Sequence, residues 1–142
     1  MQYWLIKSEP DAWSWDEQKA AGAKGTEWTG IRNHTAKLNM MKMKKGDRAF
    51  FYHSNIGKEI VGIIQVIATA RPDSTADLNA KGEVVWECVE VEAVKPLPSP
   101  VTLATIKATP ELENLELVKL SRLSVSKVSD EEWAFICKMG GL

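Results

Sequence analysis

The stretch Glu59–Ala70 restricts the fold more than any other part of the chain. Within it, Ile60-Val61-Gly62-Ile63-Ile64-Gln65-Val66-Ile67 is apolar at successive positions instead of alternate ones, the pattern of a central strand covered on both faces. Such a strand calls for a sheet with neighbours on each side and helices packed against it. Gly62, set inside the run, is expected to mark a bulge or bend.

The rest of the chain supplies those neighbours. Gln2–Lys7 reads as a strand closed by Ser8-Glu9-Pro10, and Ser14-Trp15-Asp16-Glu17 is a capping box that opens a helix to about Ala21. Thr26–Thr29 forms a brief strand, Asn33 caps a helix through about Lys45 with Ala36, Met40 and Met43 at helical spacing, and Arg48–Ser54 returns as a strand. Glu83–Val94 alternates apolar residues with glutamates in its second half, as strands do, and Pro96, Pro98 and Pro100 predict an irregular connector after it. Short helices are expected over Thr102–Ala108 and Glu111–Leu117 and a strand over Leu120–Val125. A last helix follows the capping box Ser129–Glu132, with Trp133, Ile136 and Cys137 on one stripe. Strands outnumber helices without alternating regularly with them. The expectation is therefore a single α+β domain over residues 1–142, a strongly bent mixed sheet or small barrel with short flanking helices.

Composition narrows the chemistry. Cys88 and Cys137 are far apart with no CxxC, and neither pairs at motif spacing with His34 or His53, so no metal site and no cofactor is expected. GxSxG, GxGxxG and P-loop strings are absent, which leaves hydrolase and nucleotide-cofactor readings without sequence support. MQYWLIKSEPD has neither a basic start nor an apolar run of signal length, so the protein is expected in the cytoplasm and away from membranes. The net charge of −1 hides an asymmetry. Residues 1–58 carry ten basic and six acidic side chains, residues 59–142 eight and thirteen, which allows one face to attract phosphate and serves solubility equally well. The densest basic stretch, Lys37, Lys42, Lys44, Lys45 and Arg48, is the expected phosphate-contacting rim.

Three short strings mix flat rings or guanidinium with compact hydrogen-bonding groups at strand ends or turns: Lys7-Ser8-Glu9-Pro10, Trp28-Thr29-Gly30-Ile31-Arg32-Asn33 and Phe51-Tyr52-His53-Ser54. That mixture suits a planar heterocycle, stacked on Trp28 and read along its polar edge. Taken singly, each residue has a plainer reading. Trp28 is more simply a core tryptophan, Arg32 and Asn33 a surface cation and a helix cap, and His53 a satisfied strand histidine. Strand parity also sends Tyr52 and His53 to opposite faces unless the ladder breaks nearby.

Taken in order, with Tyr3–Ile6 before the first string, Ala36 and Phe50, and with Gly62, Pro72-Asp73, Trp86 and Ser121–Val125 following, these strings resemble the EVE family, which includes the thymocyte nuclear protein group. The resemblance runs across nearly the whole chain. It implies a PUA-like fold with a barrel-like sheet, related to YTH and ASCH modules, and a cavity that receives a modified base of DNA or RNA. Carried onto this chain, the pocket candidates are Ser8, Glu9, Trp28, Arg32, Asn33, Tyr52, His53 and Ser54. The implied activity is a reader without catalysis, accepting a flipped or unpaired cytosine or adenine and working alone or with an effector protein. Two alternatives remain: an enzyme acting on a nucleoside or nucleotide, with Glu9 as general base beside His53, and a protein-interaction adaptor.

Overall fold

A computed structural model describes residues 1–142. Its strands are β1 (Tyr3–Ser8), β2 (Thr26–Trp28), β3 (Arg48–His53), β4 (Glu59–Pro72), β5 (Glu87–Thr102) and β6 (Val125–Val128); its helices are α1 (Trp15–Ala21), α2 (His34–Lys42), α3 (Leu103–Lys107), α4 (Glu116–Lys119) and α5 (Asp130–Met139). The strands form one mixed sheet in the order β2-β5-β4-β3-β1-β6, with β1 and β3 parallel and every other pair antiparallel. The apolar run is indeed central: β4 lies between β3 and β5. No helix is long and apolar enough to cross a membrane.

The sheet is open, since β2 and β6 do not pair, yet it curls strongly. Trp28 from one edge and Val125 from the other belong to the same buried cluster, together with Trp4, Ile6, Phe51, Val66 and Val89. That inner face is covered by Trp15 of α1 and by Ala36 and Met40 of α2. The outer face packs Leu5, Phe50, Tyr52, Ile60 and Ile63 against α3, α4 and α5. Gly62 permits the close approach of α1. A Cβ there would lie 2.4 Å from the Trp15 indole, and beside it the register slips at Val61, the expected bulge.

The capping boxes at Ser14 and Ser129 and the Asn33 cap are all formed. Four boundaries differ from the sequence expectation. α2 stops at Lys42, because Met43 is extended and Asp47 gathers the Lys44 N–H (3.0 Å) and the Trp4 indole N–H (3.2 Å) into a turn. β5 begins at Glu87 and runs through Pro96, Pro98 and Pro100 to Thr102. The prolines are tolerated because Leu97–Pro100 form a bulge, the register with β4 jumping from Gly62–Pro96 to Ile60–Val101, while on the other edge β2 pairs only with Val89–Val91. The expected helix over Glu111–Leu117 divides into a 3-10 turn at Pro110–Leu112 and α4. Leu120–Ser124 is a turn, closed by the Leu123 N–H to the Leu120 carbonyl, and pairing with β1 starts only at Val125.

Candidate functional site

Curling the sheet without closing it leaves a seam, and the largest cleft, about 520 Å³, lies there. One wall is β2 and the segment after it, Thr26 through Arg32. The other is Lys7 and Ser8 at the end of β1, Ser54 after β3 and Ser124 before β6, with Glu9, Ala12 and Trp13 over one end. The second wall is held by backbone bonds. The Ser54 N–H donates to the Ser8 carbonyl and the Lys7 N–H to the Ser124 carbonyl, each at 2.9 Å. Ser8 Oγ donates to the Trp13 carbonyl, and the Trp13 indole N–H donates to Gln18 Oε1 (2.8 Å), whose buried amide also reaches the Val91 carbonyl. Trp13 is thereby oriented from both its backbone and its ring.

The first wall is fixed by Asp73, which is 0% exposed. Its Oδ2 accepts from the Gly30 N–H (2.9 Å) and from Arg32 Nη1 (3.1 Å), and its Oδ1 accepts from the N–H and hydroxyl of Thr75. Burial alone would raise this carboxyl, but the bonds from Thr75, Gly30 and Arg32 outweigh it and hold the pKa at about 2. Gly30, at φ 86 with open space where a side chain would stand, lets the chain turn past the cleft.

The structure brings Ser8, Glu9, Trp28, Arg32 and Ser54 into the cleft lining. Trp28 is at once wall and core: it is 6% exposed and meets Phe51 edge-on at 5.6 Å, yet it lines the cleft. Three candidates lie elsewhere. Asn33 is spent on the α2 cap, accepting from the Ala36 N–H at 2.9 Å. Tyr52 is buried in the outer layer. His53 points inward, as parity requires, but its Nε2 accepts the Trp15 N–H at 3.0 Å. Burial lowers its pKa against the pull of Glu59 and Asp16, so the ring is neutral, with its proton on Nδ1.

Nor is the basic stretch gathered at the cleft. Lys42, Lys44 and Lys45 lie at or beyond the far end of α2, about 13 Å from its cap at a rise of 1.5 Å per residue. Arg48 pairs with Tyr3, five positions from the Ser8–His53 pair and about 16 Å along the strand. Lys37 alone stays near, donating to the Val85 carbonyl and lying 5.8 Å from the centre of the Trp86 ring; Arg32 approaches the same ring at 5.9 Å and His34 packs on it at 4.7 Å. Asp73 and Trp13 stand out among the site residues that the sequence candidates did not include. Asp73 was legible as the head of an Asx turn, Pro72-Asp73-Ser74-Thr75; Trp13, next to a helix cap, carried no signal beyond being one of six tryptophans.

The EVE domain profile matches residues 2–139. The chain belongs to the EVE domain family. A protein of Agrobacterium tumefaciens has a similar structure, 52% identical with a TM-score of 0.94 over 100% of this chain and 94% of that one. Human thymocyte nuclear protein 1 is 30% identical over 96% of this chain and 73% of its own length. Its crystal structure in complex with DNA containing 5-methylcytosine aligns at 27% identity with a TM-score of 0.90, covering 100% and 99%. A YTH domain of Zygosaccharomyces rouxii, solved with N6-methyladenosine RNA, shares the fold alone, at 15% identity and a TM-score of 0.58 over 98% of this chain and 86% of that one. The expected PUA-like α+β architecture is the observed one, with the barrel left open at the seam.

Proposed function

We propose that this EVE domain is a reader that draws one modified base of a nucleic-acid strand into the seam cleft and binds it without chemistry. The observation that carries the reading is the cleft itself: two tryptophans, Trp13 and Trp28, lie among carboxylates, hydroxyls and backbone groups, on a fold whose human relative is seen with 5-methylcytosine DNA. A volume of about 520 Å³ falls in the range of pockets for small planar ligands, about 300–1,000 Å³. Stacking on a tryptophan supplies sequence-tolerant affinity. Glu9, whose carboxylate is in no ion pair, lines the cleft as an acceptor, which favours a base with an exocyclic amine, cytosine or adenine; the Glu27 carboxylate is held by Arg71 at 3.5 Å. The enzymatic alternative has little to work with. His53 is engaged by α1, and burial pushes both cysteine thiols up, away from the thiolate.

Oligonucleotides carrying a single 5-methylcytosine, a single N6-methyladenine or no modification, each as single strand, duplex and RNA, test this directly. One modified form should bind at least tenfold tighter than its unmodified counterpart and be recovered unchanged by mass spectrometry. Trp13→Ala, a change at a half-buried residue, should weaken that binding by about 1–3 kcal/mol with little loss of melting temperature. Equal affinities throughout, or turnover of any oligonucleotide, would sink the reading.

A further inference from the structure

On the outer face of the sheet, beyond Tyr52, a second cavity of about 240 Å³ lies at the same end as the cleft. Lys7, Lys58 and Lys107 line it with Ser54, Asn55 and Ser121, and no acidic side chain does. None of the three lysines is in an ion pair; the four ion pairs of the molecule involve Lys19, Arg32 and Arg71. Lys7 Nζ gives one proton to the Ser121 carbonyl at 2.7 Å and keeps two to donate. The 54–58 turn holds Asn55 at φ 65 and Lys58 at φ 46, a conformation lysine rarely adopts and one that local structure must enforce. Three lysines lining one hollow, with no acidic side chain among the lining residues, suit an anion.

Lys7 and Ser54 line both cavities, so the lysine hollow and the base cleft share a wall. We propose that this hollow seats a backbone phosphate of the strand whose base enters the cleft, in place of the basic stretch at the far end of α2. The inference rests on the base-reading function.

Lys58→Asn with Lys107→Gln removes two charges, and asparagine suits the left-handed backbone at residue 58. Binding of a 5-methylcytosine oligonucleotide and its unmodified counterpart is followed by fluorescence anisotropy over a series of KCl concentrations, with melting temperatures confirming the fold. Loss of that one phosphate contact should lower the slope of log K against log[KCl] by about 0.7 on single strands or about 0.9 on duplex, equally for both oligonucleotides, leaving their affinity ratio intact. An unchanged slope, with wild type still discriminating, overturns the hollow and leaves the reader standing. A reduced slope with no discrimination by wild type overturns the reader and keeps the hollow. Inorganic phosphate is titrated separately, following the Asn55 and Lys58 amides by NMR. Shifts there with no change in the oligonucleotide slope assign the hollow to free phosphate and overturn the strand contact, and failure of every oligonucleotide to bind overturns both.

Discussion

The two faces of the sheet bury tryptophan in opposite ways. On the outer face Trp133 of α5 is stacked between Tyr3, 4.2 Å away at 11°, and Phe50, 3.9 Å away at 20°, in an apolar layer where the buried Ser126, opposite Leu5, is the exception. On the inner face Trp15 and Trp28 meet Phe51 edge-on, and buried polar side chains are threaded among the rings: Gln18 holds Trp13, Asp47 holds Trp4, and Asn39 donates to the Val125 carbonyl at 2.7 Å. The outer layer is a packed hydrophobic core. The inner one spends its polar groups on orienting rings and on holding the seam apart, which keeps a cleft where a closed barrel would have backbone pairing.

Truncating the two tryptophans should separate these roles. Trp133→Ala removes a stacked core ring and is expected to cost about 3–5 kcal/mol of stability, with the surviving folded fraction binding modified oligonucleotide as wild type does. Trp28→Ala should lose stability on the same scale, since the ring is 6% exposed, and in addition about 1–3 kcal/mol of binding per folded molecule. Trp28→Phe keeps part of both. Urea melts read the first quantity and anisotropy titrations of the folded protein the second. If Trp28→Ala binds as well as wild type once folded, Trp28 belongs to the core alone and the two faces differ less than their geometry suggests.

A smaller effect distinguishes the faces by pH. Asp73 anchors the inner wall with a pKa lowered from 3.8 to about 2. A depressed carboxylate stabilises the fold above its unfolded pKa, and that contribution disappears as pH falls through the folded value. The sum is about 2 kcal/mol at 1.36 kcal/mol per unit. Wild type should therefore lose about that much relative to Asp73→Asn between pH 5 and pH 2, while Trp133→Ala against wild type stays level over the same window. Denaturant melts at pH 7, 5, 3 and 2 check both. A constant gap between wild type and Asp73→Asn would remove Asp73 as the pH-sensitive anchor.

Local physics was legible in the sequence and chain crossings were not. The caps at Ser14, Asn33 and Ser129 depend on residues three apart, and the covered strand β4 on its own composition, so both were readable. The Tyr52–His53 parity was readable too, because alternation survives the bulge at Val61. The prolines of β5 misled because their tolerance depends on a bulge against β4 and on how far β2 reaches, facts set by strands far away in sequence. Leu120–Ser124 misled for a similar reason: the residues are strand-like, but Lys7 and Ser124 set the pairing. Neighbourhood in sequence also stood in for neighbourhood in space. Lys42 through Arg48 follow the Trp28–Asn33 string closely in sequence, yet α2 carries them down the molecule, while Lys58 and Lys107, far apart in sequence, meet at the cleft end.

The smallest expected effect follows from that last contrast. Lys44 and Lys45 are exposed, on a turn whose geometry is set by the Asp47 carboxylate and the Lys44 backbone rather than by either ammonium group. They stand at the end of the sheet where β1 begins, away from Ser8 and Ser54. At physiological ionic strength, charges beyond a Debye length of about 8 Å are largely screened, so Lys44→Glu with Lys45→Glu should leave the melting temperature within a degree or two. The salt slope of oligonucleotide binding should shift by less than about 0.3, against about 0.7–0.9 for the Lys58 and Lys107 pair. A slope that instead drops by two contacts in the Lys44/Lys45 variant would mean that the strand wraps past the seam and down α2. The basic stretch would then be the rim, and the lysine hollow at most an accessory to it.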